Sequence, residues 1–119
     1  MTKHSFEKPR GYPGDAALLD WIYYPEKNEA ILDDSISRYL YHHNARRPAP
    51  SAVRARVKRI ADIIDEIPAG GSMLALACGH FREAEFSRSI REGILGRIDV
   101  VDQDPRSLRL VRELGIQNL

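Results

Sequence analysis

Two short apolar runs in the second half of the chain constrain its fold most strongly. They are SMLALAC, residues 72–78, and RIDVVDQD, residues 97–104. Each run has the length of a strand, and the segment between them has the apolar spacing of a helix. Short apolar runs that alternate with helices are typical of parallel strands buried on both faces. The sequence therefore predicts an α/β protein with a parallel sheet.

The helices that accompany these strands have recognisable ends. The segment Arg82–Glu92 is predicted to form one helix, which Gly93 stops. Asp104 and Pro105 supply a cap and a first-turn proline for a second helix, RSLRLVREL. Gly115 is placed to close that helix. The order of elements is therefore β-α-β-α.

This order is that of the first half of a Rossmann-like doubly wound sheet, which we expect over residues 68–119. Two parallel strands alone make a poor sheet. The pattern requires another strand after Gly115, where the sequence offers only IQNL. We therefore expect an incomplete sheet. The chain would be either a truncated piece of a larger domain or one that a complementing chain or a second copy completes.

The preceding residues, 1–67, are predicted to form a helical cap region. KPRGYPGD, residues 8–15, is rich in turn formers, and Asp15 is placed to cap a first helix. Pro25 suits the first turn of a second helix. Its apolar residues at helical spacing are Leu32, Ile36, Tyr39 and Leu40. That helix is expected to end within a connector, HHNARRPAP, and a third helix is expected to begin at Ser51.

Composition narrows the class of protein. The chain has 119 residues, a net charge of +1 and one cysteine, Cys78. This charge gives no field that attracts nucleic acid, and one cysteine allows neither an internal disulfide nor a multi-cysteine metal site. No apolar run approaches the roughly 18 residues of a membrane span, and MTKHSFEKPR lacks the apolar core of a signal peptide. We expect a cytoplasmic protein with no membrane span, metal or nucleic-acid partner.

Candidate site residues stand at the ends of the two strands, where ligands bind in open α/β sheets. The first end is Ala77-Cys78-Gly79-His80, and Gly79 lets the backbone approach a ligand closely. The second end is Asp102, whose carboxylate can accept hydrogen bonds from both hydroxyls of a ribose. The pair predicts a site for an adenosine-type nucleoside. The alternative is that Asp102 is a plain turn residue.

The residues of the first turn argue against a diphosphate ligand. A dinucleotide site needs G-x-G-x-x-G to bring backbone amides against a pyrophosphate, whereas residues 77–82 read A-C-G-H-F-R. NAD and FAD are therefore disfavoured. A cofactor without phosphates, such as S-adenosylmethionine, makes weaker demands on this turn.

These segments together resemble a known family. LALACGHFREAEF followed by IDVVDQDPRSL is similar to motif I and the acidic loop of class I S-adenosylmethionine-dependent methyltransferases. KPRGYPGD is similar to the K-P-R-G-Y-x-G-D element of a bacterial branch of that superfamily. Some members of this branch are named extracellular-factor (3-hydroxypalmitic acid methyl ester) biosynthesis proteins. The resemblance runs from about Lys8 to Leu114 and implies binding of S-adenosylmethionine or S-adenosylhomocysteine.

The resemblance also implies a role for each matching residue at the strand ends. Gly79 would border the methionine part of the cofactor, together with its neighbours Ala77, Cys78 and His80. Asp102 would hold the ribose hydroxyls. From the residues alone, Cys78 is interpreted as a small packed residue, since no sequence feature marks a base that would activate it.

Three further residues receive cofactor-binding roles. By the resemblance, Gln103 would lie beside the adenine. In the functional interpretation of KPRGYPGD, Arg10 and Tyr12 sit over the cofactor, and Arg10 pairs with its carboxylate. The alternative is that this element only shapes a turn and caps a helix. No catalytic general base can be named from the sequence.

The chain departs from the family pattern at three positions. The family usually has an acidic residue where this chain has Ala75, and often glycine where it has Ala77 and Phe81. The change at Ala75 removes an expected partner of the cofactor's ammonium group. Residues that could replace it are His80, Glu83 and Asp15.

Other functions remain open. The main alternative is a non-catalytic truncated fragment that self-associates or binds a partner through the helices from Pro25 to Ile67. A nicotinamide-dependent oxidoreductase is disfavoured by the missing glycines. RNA binding is disfavoured by the low net charge, and its candidate residues are Arg46, Arg47, Arg54, Arg56 and Lys58. One aromatic cluster is interpreted as helix packing, with a substrate pocket as the alternative: Trp21, Tyr23, Tyr24, Tyr39 and Tyr41. The pair His42-His43 is interpreted as a helix end, with metal binding as the alternative.

Overall fold

The computed structural model describes residues 16–119, and the chain forms two compact units that divide between Ala55 and Arg56. Among the described residues, the first unit contains only helices, and the second contains helices and strands. The α/β class is therefore confirmed. Along residues 16–119, no helix is long and apolar enough to cross a membrane.

The helices of the first unit differ from the predicted ones. They are α1, Ala16–Tyr23; α2, Pro25–Glu29; α3, Ser35–Ala45; and the beginning of α4, Pro48–Asp65. The prediction of one helix from Pro25 is wrong, because α2 ends at Glu29 and Asp34 caps a separate helix, α3. Asp34 has extended backbone, and its side chain accepts a hydrogen bond from the Ser37 amide at 2.7 Å. This capping bond stabilises the first turn of α3 and favours a new helix over a continuation of α2.

The predicted connector HHNARRPAP is mostly helical. Both histidines lie in the last turn of α3, and α4 begins at Pro48 rather than at Ser51. Only Arg46 and Arg47 separate the two helices. Proline is favourable at the start of a helix because the first turn leaves its backbone amides unpaired.

The aromatic residues of the first unit do not form one cluster. Trp21 and Tyr41 pack edge to face with ring centroids 5.7 Å apart, and the Tyr41 hydroxyl donates to the Trp21 carbonyl oxygen. Burial raises the pKa of Tyr41. By contrast, Tyr39 is exposed and stacks on His43. Helix packing is thus confirmed for Trp21 and Tyr41.

The second unit is built on two parallel strands. After α4, the elements in chain order are β1, Ser72–Leu76; α5, Glu83–Phe86; α6, Arg88–Arg91; β2, Arg97–Val101; and α7, Pro105–Glu113. Ser72 pairs with Arg97 at one end, and Leu76 pairs with Val101 at the other. The carboxyl ends of both strands therefore meet at one edge of the sheet.

The core of this unit lies on one face of the sheet. Its buried residues are Ile64, Phe81, Ala84, Ile90, Leu95, Ile98 and Val111. Met73, Ala75 and Val100 pack against this cluster from the strands. On the opposite face, Leu76 is 70% exposed and Val101 is 52% exposed. The prediction that both faces are buried is therefore wrong for the described residues, because the core forms on the Met73 face alone.

The predicted helix Arg82–Glu92 is also wrong, because it breaks at Ser87. Ser87 has extended backbone, and its hydroxyl accepts a hydrogen bond from the Ile90 amide at 3.2 Å. The same hydroxyl donates to the Asp65 carboxylate at 2.6 Å. α5 and α6 are consequently two single turns.

The ends of α7 agree with the prediction. The Asp104 carboxylate accepts a hydrogen bond from the Arg106 amide at 2.9 Å, and Pro105 occupies the first turn. Gly115, just beyond the helix, has a φ of +64°. Glycine adopts this left-handed conformation without the steric cost that other residues incur.

Residues 116–119 do not form the third strand that the pattern requires. They nevertheless return to the free edge of β2. The Ile98 amide donates to the Asn118 carbonyl oxygen at 2.7 Å, and the Asn118 side chain donates to the Leu95 carbonyl oxygen at 2.8 Å. The sheet therefore has two strands in the part of the chain that the structure describes.

Candidate functional site

The loop after β1 has an unusual backbone. Three alternate residues adopt left-handed conformations: Ala77 at φ +52°, Gly79 at +56° and Phe81 at +50°. The Cys78 amide donates to the Val101 carbonyl oxygen at 3.2 Å, which ties the loop to the end of β2. The Phe81 side chain is buried in the core. The loop is thus held at both ends.

Asp102 connects the two strand ends directly. Its Oδ2 accepts a hydrogen bond from the Gly79 amide at 2.7 Å, and its Oδ1 accepts one from the Asp104 amide at 2.8 Å. The carboxylate is half-buried. A carboxylate has about four acceptor positions, so two backbone bonds leave about two for a ligand. Asp102 can therefore fix the loop and still accept two hydroxyl groups.

Two of the three positions at which the chain departs from the expected pattern have left-handed backbone. Ala77 and Phe81 occupy positions where the pattern often has glycine, and both have positive φ. A left-handed conformation costs a non-glycine residue about 1–2 kcal/mol. The loop conformation that glycine would favour is thus present here despite the larger side chains. Burial of Phe81 in the core offsets this cost at one position, whereas Ala77 is exposed.

Replacing Ala77 by glycine is expected to stabilise the protein by about 1 kcal/mol. The substitution relieves the positive φ and removes only an exposed methyl group, although the more flexible unfolded chain offsets part of the gain. The change in the free energy of unfolding is measured by urea titration, with circular dichroism as the signal. Ala52→Gly in α4, at an exposed helical position, should destabilise by about 1 kcal/mol. Equal losses from both substitutions would contradict the left-handed assignment.

Cys78 is placed for packing and not for nucleophilic chemistry. Its thiol is half-buried and lies 3.6 Å from the Gly79 carbonyl oxygen. Burial, together with the negative charge of Asp102, raises the thiol pKa to about 11. The sulfur is therefore protonated at neutral pH and is a poor nucleophile.

The remaining predicted residues differ in their surroundings. His80 is buried within the loop, Gln103 is exposed beside Asp102, and Ala77 is exposed at the end of β1. The structure thus brings the loop residues and Asp102 together. Arg10 and Tyr12 lie outside the described residues.

One polar arrangement was not predicted from the sequence. Asp65, the last residue of α4, accepts hydrogen bonds from the Ser87 hydroxyl at 2.6 Å, the Ser89 amide at 2.8 Å and the Arg88 amide at 3.1 Å. Burial of the carboxyl raises its pKa, but these bonds outweigh that effect and lower it to about 2. A serine within a predicted helix was the available signal, since serine favours helix caps.

A separate groove of about 570 Å³ lies between the α5–α6 segment and the residues after α7. It is lined by apolar and charged side chains, among them Ile90, Arg91, Glu92, Leu114 and Ile116. Neither the loop after β1 nor Asp102 contributes to it. The strand-end site is therefore distinct from this groove.

Comparison of the chain with protein-family models, with curated proteins and with solved structures gave no match. The functional assignment therefore depends on the residues and geometry of the strand ends.

Proposed function

We propose that the chain binds S-adenosylmethionine at the carboxyl ends of β1 and β2, as the cofactor-binding region of a class I methyltransferase with a Rossmann-like sheet. One observation carries the proposal. The glycine that ends the first strand and the aspartate that follows the second lie in contact, with 2.7 Å between the Gly79 amide nitrogen and Asp102 Oδ2. This arrangement puts a close-approach backbone beside a carboxylate at the edge where α/β sheets bind nucleosides.

The acceptor groups of Asp102 fit a ribose. Each carboxylate oxygen already accepts one backbone hydrogen bond, which fixes the orientation of the carboxylate plane. Each oxygen retains acceptor capacity for one of two neighbouring hydroxyls. A carboxylate held in this way loses little further conformational entropy when a ligand binds. This preorganisation supports a vicinal diol as the ligand group.

The loop is less suited to a pyrophosphate. Ala77 and Phe81 carry side chains where a dinucleotide loop would bring bare backbone against the phosphates. The Gly79 amide already donates to the Asp102 carboxylate. Arg82 forms an ion pair with Glu85 at 2.7 Å. These features support a nucleoside without phosphates over NAD or FAD.

Methyl transfer from such a cofactor requires little acid–base catalysis by the protein. The methyl group of S-adenosylmethionine is activated by its sulfonium, so the protein mainly positions the reactants and excludes water. The protonated Cys78 thiol is consistent with this division of roles, because it offers no competing nucleophile at the site.

Calorimetric titration with S-adenosylhomocysteine tests the proposal. The 119-residue chain should bind it, and Asp102→Ala should weaken binding by about 10- to 100-fold, because two hydrogen bonds to a charged group are lost. Asp99→Ala is a matched control, since Asp99 lies earlier in β2 and pairs with Arg97 at 2.8 Å. It should leave the affinity unchanged.

A change of ligand separates ribose binding from damage to the loop. Loss of both hydroxyls, in 2′,3′-dideoxyadenosine, should weaken binding relative to adenosine in the wild-type chain. In Asp102→Ala the two nucleosides should bind alike, because the group that distinguishes them is absent. An equal preference for adenosine in both proteins would refute the ribose assignment.

Self-association is the second candidate function, and one feature of the first unit favours it. α3 exposes a stripe of apolar side chains at helical spacing, with Ile36 at 71%, Tyr39 at 70% and Leu40 at 46% exposure. Such stripes commonly serve helix association. Sedimentation velocity distinguishes the two functions: a monomer at all concentrations excludes self-association.

A further inference from the structure

The helix α3 uses one face to pack within the first unit. On that face the Tyr41 ring packs against Trp21, and the Ala45 side chain is buried. His42 Nδ1 lies 3.0 Å from Glu29 Oε2, which joins α3 to the end of α2. Residues three and four positions apart share one face of a helix, so the other face of α3 is turned away from these contacts.

The outward face of α3 is an apolar stripe. Ile36, Tyr39 and Leu40 are exposed, and exposed His43 continues the same face one turn later. The Tyr39 and His43 rings stack with their centroids 6.4 Å apart and 19° between their planes. This stacking orders two side chains of the stripe before a partner binds, which lowers the entropy lost on association. The stripe is therefore a preformed surface.

Opposite charges stand at the two ends of the stripe. Exposed Asp33 and Asp34 precede α3, and exposed Arg46 and Arg47 follow it. This order also suits the dipole of α3 itself, which favours acidic residues at its start and basic residues at its end. The four charges cancel, so these ends give the stripe no net attraction to an anionic membrane or to nucleic acid. The pattern is, however, complementary to its own reverse.

The charges are also spaced symmetrically about the middle of α3. Asp33 stands six residues before Tyr39, and Arg46 stands six residues after Leu40. A second copy of α3 that lies antiparallel across this midpoint therefore brings the aspartate of each copy beside the arginine of the other. The two charge pairs would lie about 20 Å apart, with the apolar side chains between them. A parallel arrangement would instead bring like charges together.

We infer that α3 pairs with α3 of a second copy of the chain, in antiparallel orientation, to form a symmetric dimer. The inference rests on self-association, the second candidate function above, and is independent of cofactor binding. A helix of 11 residues is about 16 Å long and cannot alone bury the roughly 800 Å² per partner of a standard interface. The dimer is therefore weak, with a dissociation constant in the micromolar range or higher.

Charge reversal tests the orientation. Asp33→Lys puts like charges beside each other at both symmetric contacts and should raise the dissociation constant about 10-fold. Arg46→Glu combined with Arg47→Glu should have the same effect. An equimolar mixture of the two variants should associate as tightly as the wild type, because each chain again faces opposite charge at both ends. Sedimentation velocity over a concentration series measures each sample.

A second test removes the apolar side chains. Replacing Ile36 and Tyr39 together by serine should abolish the dimer at concentrations where the wild type associates, since most of the stripe is lost. Leu76→Ser is the matched control, because Leu76 has the same 70% exposure as Tyr39 but lies on the outer face of β1. It should leave the association unchanged. All these side chains are exposed, so circular dichroism should show an unaltered fold.

The outcomes separate this inference from the proposals above. A wild-type chain that is monomeric at all concentrations overturns self-association and the inference together, but leaves cofactor binding untouched. A dimer that Asp33→Lys does not weaken, or variants that fail to associate in the mixture, overturn the antiparallel pairing alone. Loss of the dimer with Leu76→Ser, and not with the double serine variant, would place the interface on the sheet and also overturn the inference.

Discussion

Replacing Asp65 by alanine is expected to lower the free energy of unfolding by about 3 kcal/mol. The carboxylate accepts three hydrogen bonds at the start of α6, and the substitution leaves the fully buried Ser87 without its acceptor. Hydrogen bonds to charged groups contribute about 1.5–3 kcal/mol, and an unsatisfied buried group adds to the loss. Urea unfolding, followed by circular dichroism, measures the difference.

Asp62→Ala is the matched control, because Asp62 lies one turn earlier in α4 and is exposed. Its effect should stay within about 0.5 kcal/mol. A similar small effect at Asp65 would show that the carboxylate does not hold α6 in place.

The contribution of Asp65 should depend on pH. Its folded-state pKa is about 2, below the ordinary aspartate value, so the stabilisation is complete above the unfolded pKa of about 4. It is lost as the pH falls from about 4 towards 2, where the folded carboxylate takes up a proton. The stability difference between wild type and Asp65→Asn should therefore shrink over this interval. A difference that stays constant from pH 6 to pH 2 would contradict the lowered pKa.

Truncation of Ile98 is the second substitution with a large expected effect. Ile98 is 2% exposed on the inner face of β2, in the core cluster. Ile98→Ala should cost about 3 kcal/mol, since isoleucine-to-alanine changes in cores typically cost 2–5 kcal/mol. The measurement is again urea unfolding.

The outer face of the same strand supplies the control. Val101 is 52% exposed, and Val101→Ala should cost less than about 1 kcal/mol. Equal losses at the two positions would mean that something covers the outer face, as the apolar pattern of the strands first indicated.

Local signals in the sequence predicted some element ends correctly. Asp104 and Pro105 start α7, and Gly115 follows its end, because caps depend on neighbouring residues alone. The meeting of Gly79 and Asp102 was also predictable, since parallel strands place their carboxyl ends at one edge.

Other features depend on residues far apart and could not be read from local patterns. The break at Ser87 exists because its hydroxyl binds Asp65, which lies in a different helix. The Gly79 amide that bonds to Asp102 belongs to a loop with left-handed backbone at residues 77, 79 and 81, and alanine and phenylalanine in a sequence do not indicate that conformation. The exposure of Leu76 depends on which sheet face receives the helices, and an apolar run does not specify that.

The most direct test of the strand-end site is a nuclear magnetic resonance titration of the ¹⁵N-labelled chain with S-adenosylhomocysteine. The amides of Gly79 and Asp104 both donate to the Asp102 carboxylate and therefore report on what that carboxylate binds. We predict that these two resonances show saturable shifts among the largest in the spectrum. Shifts confined to other parts of the chain, or no shifts at all, would contradict a cofactor site at the ends of β1 and β2.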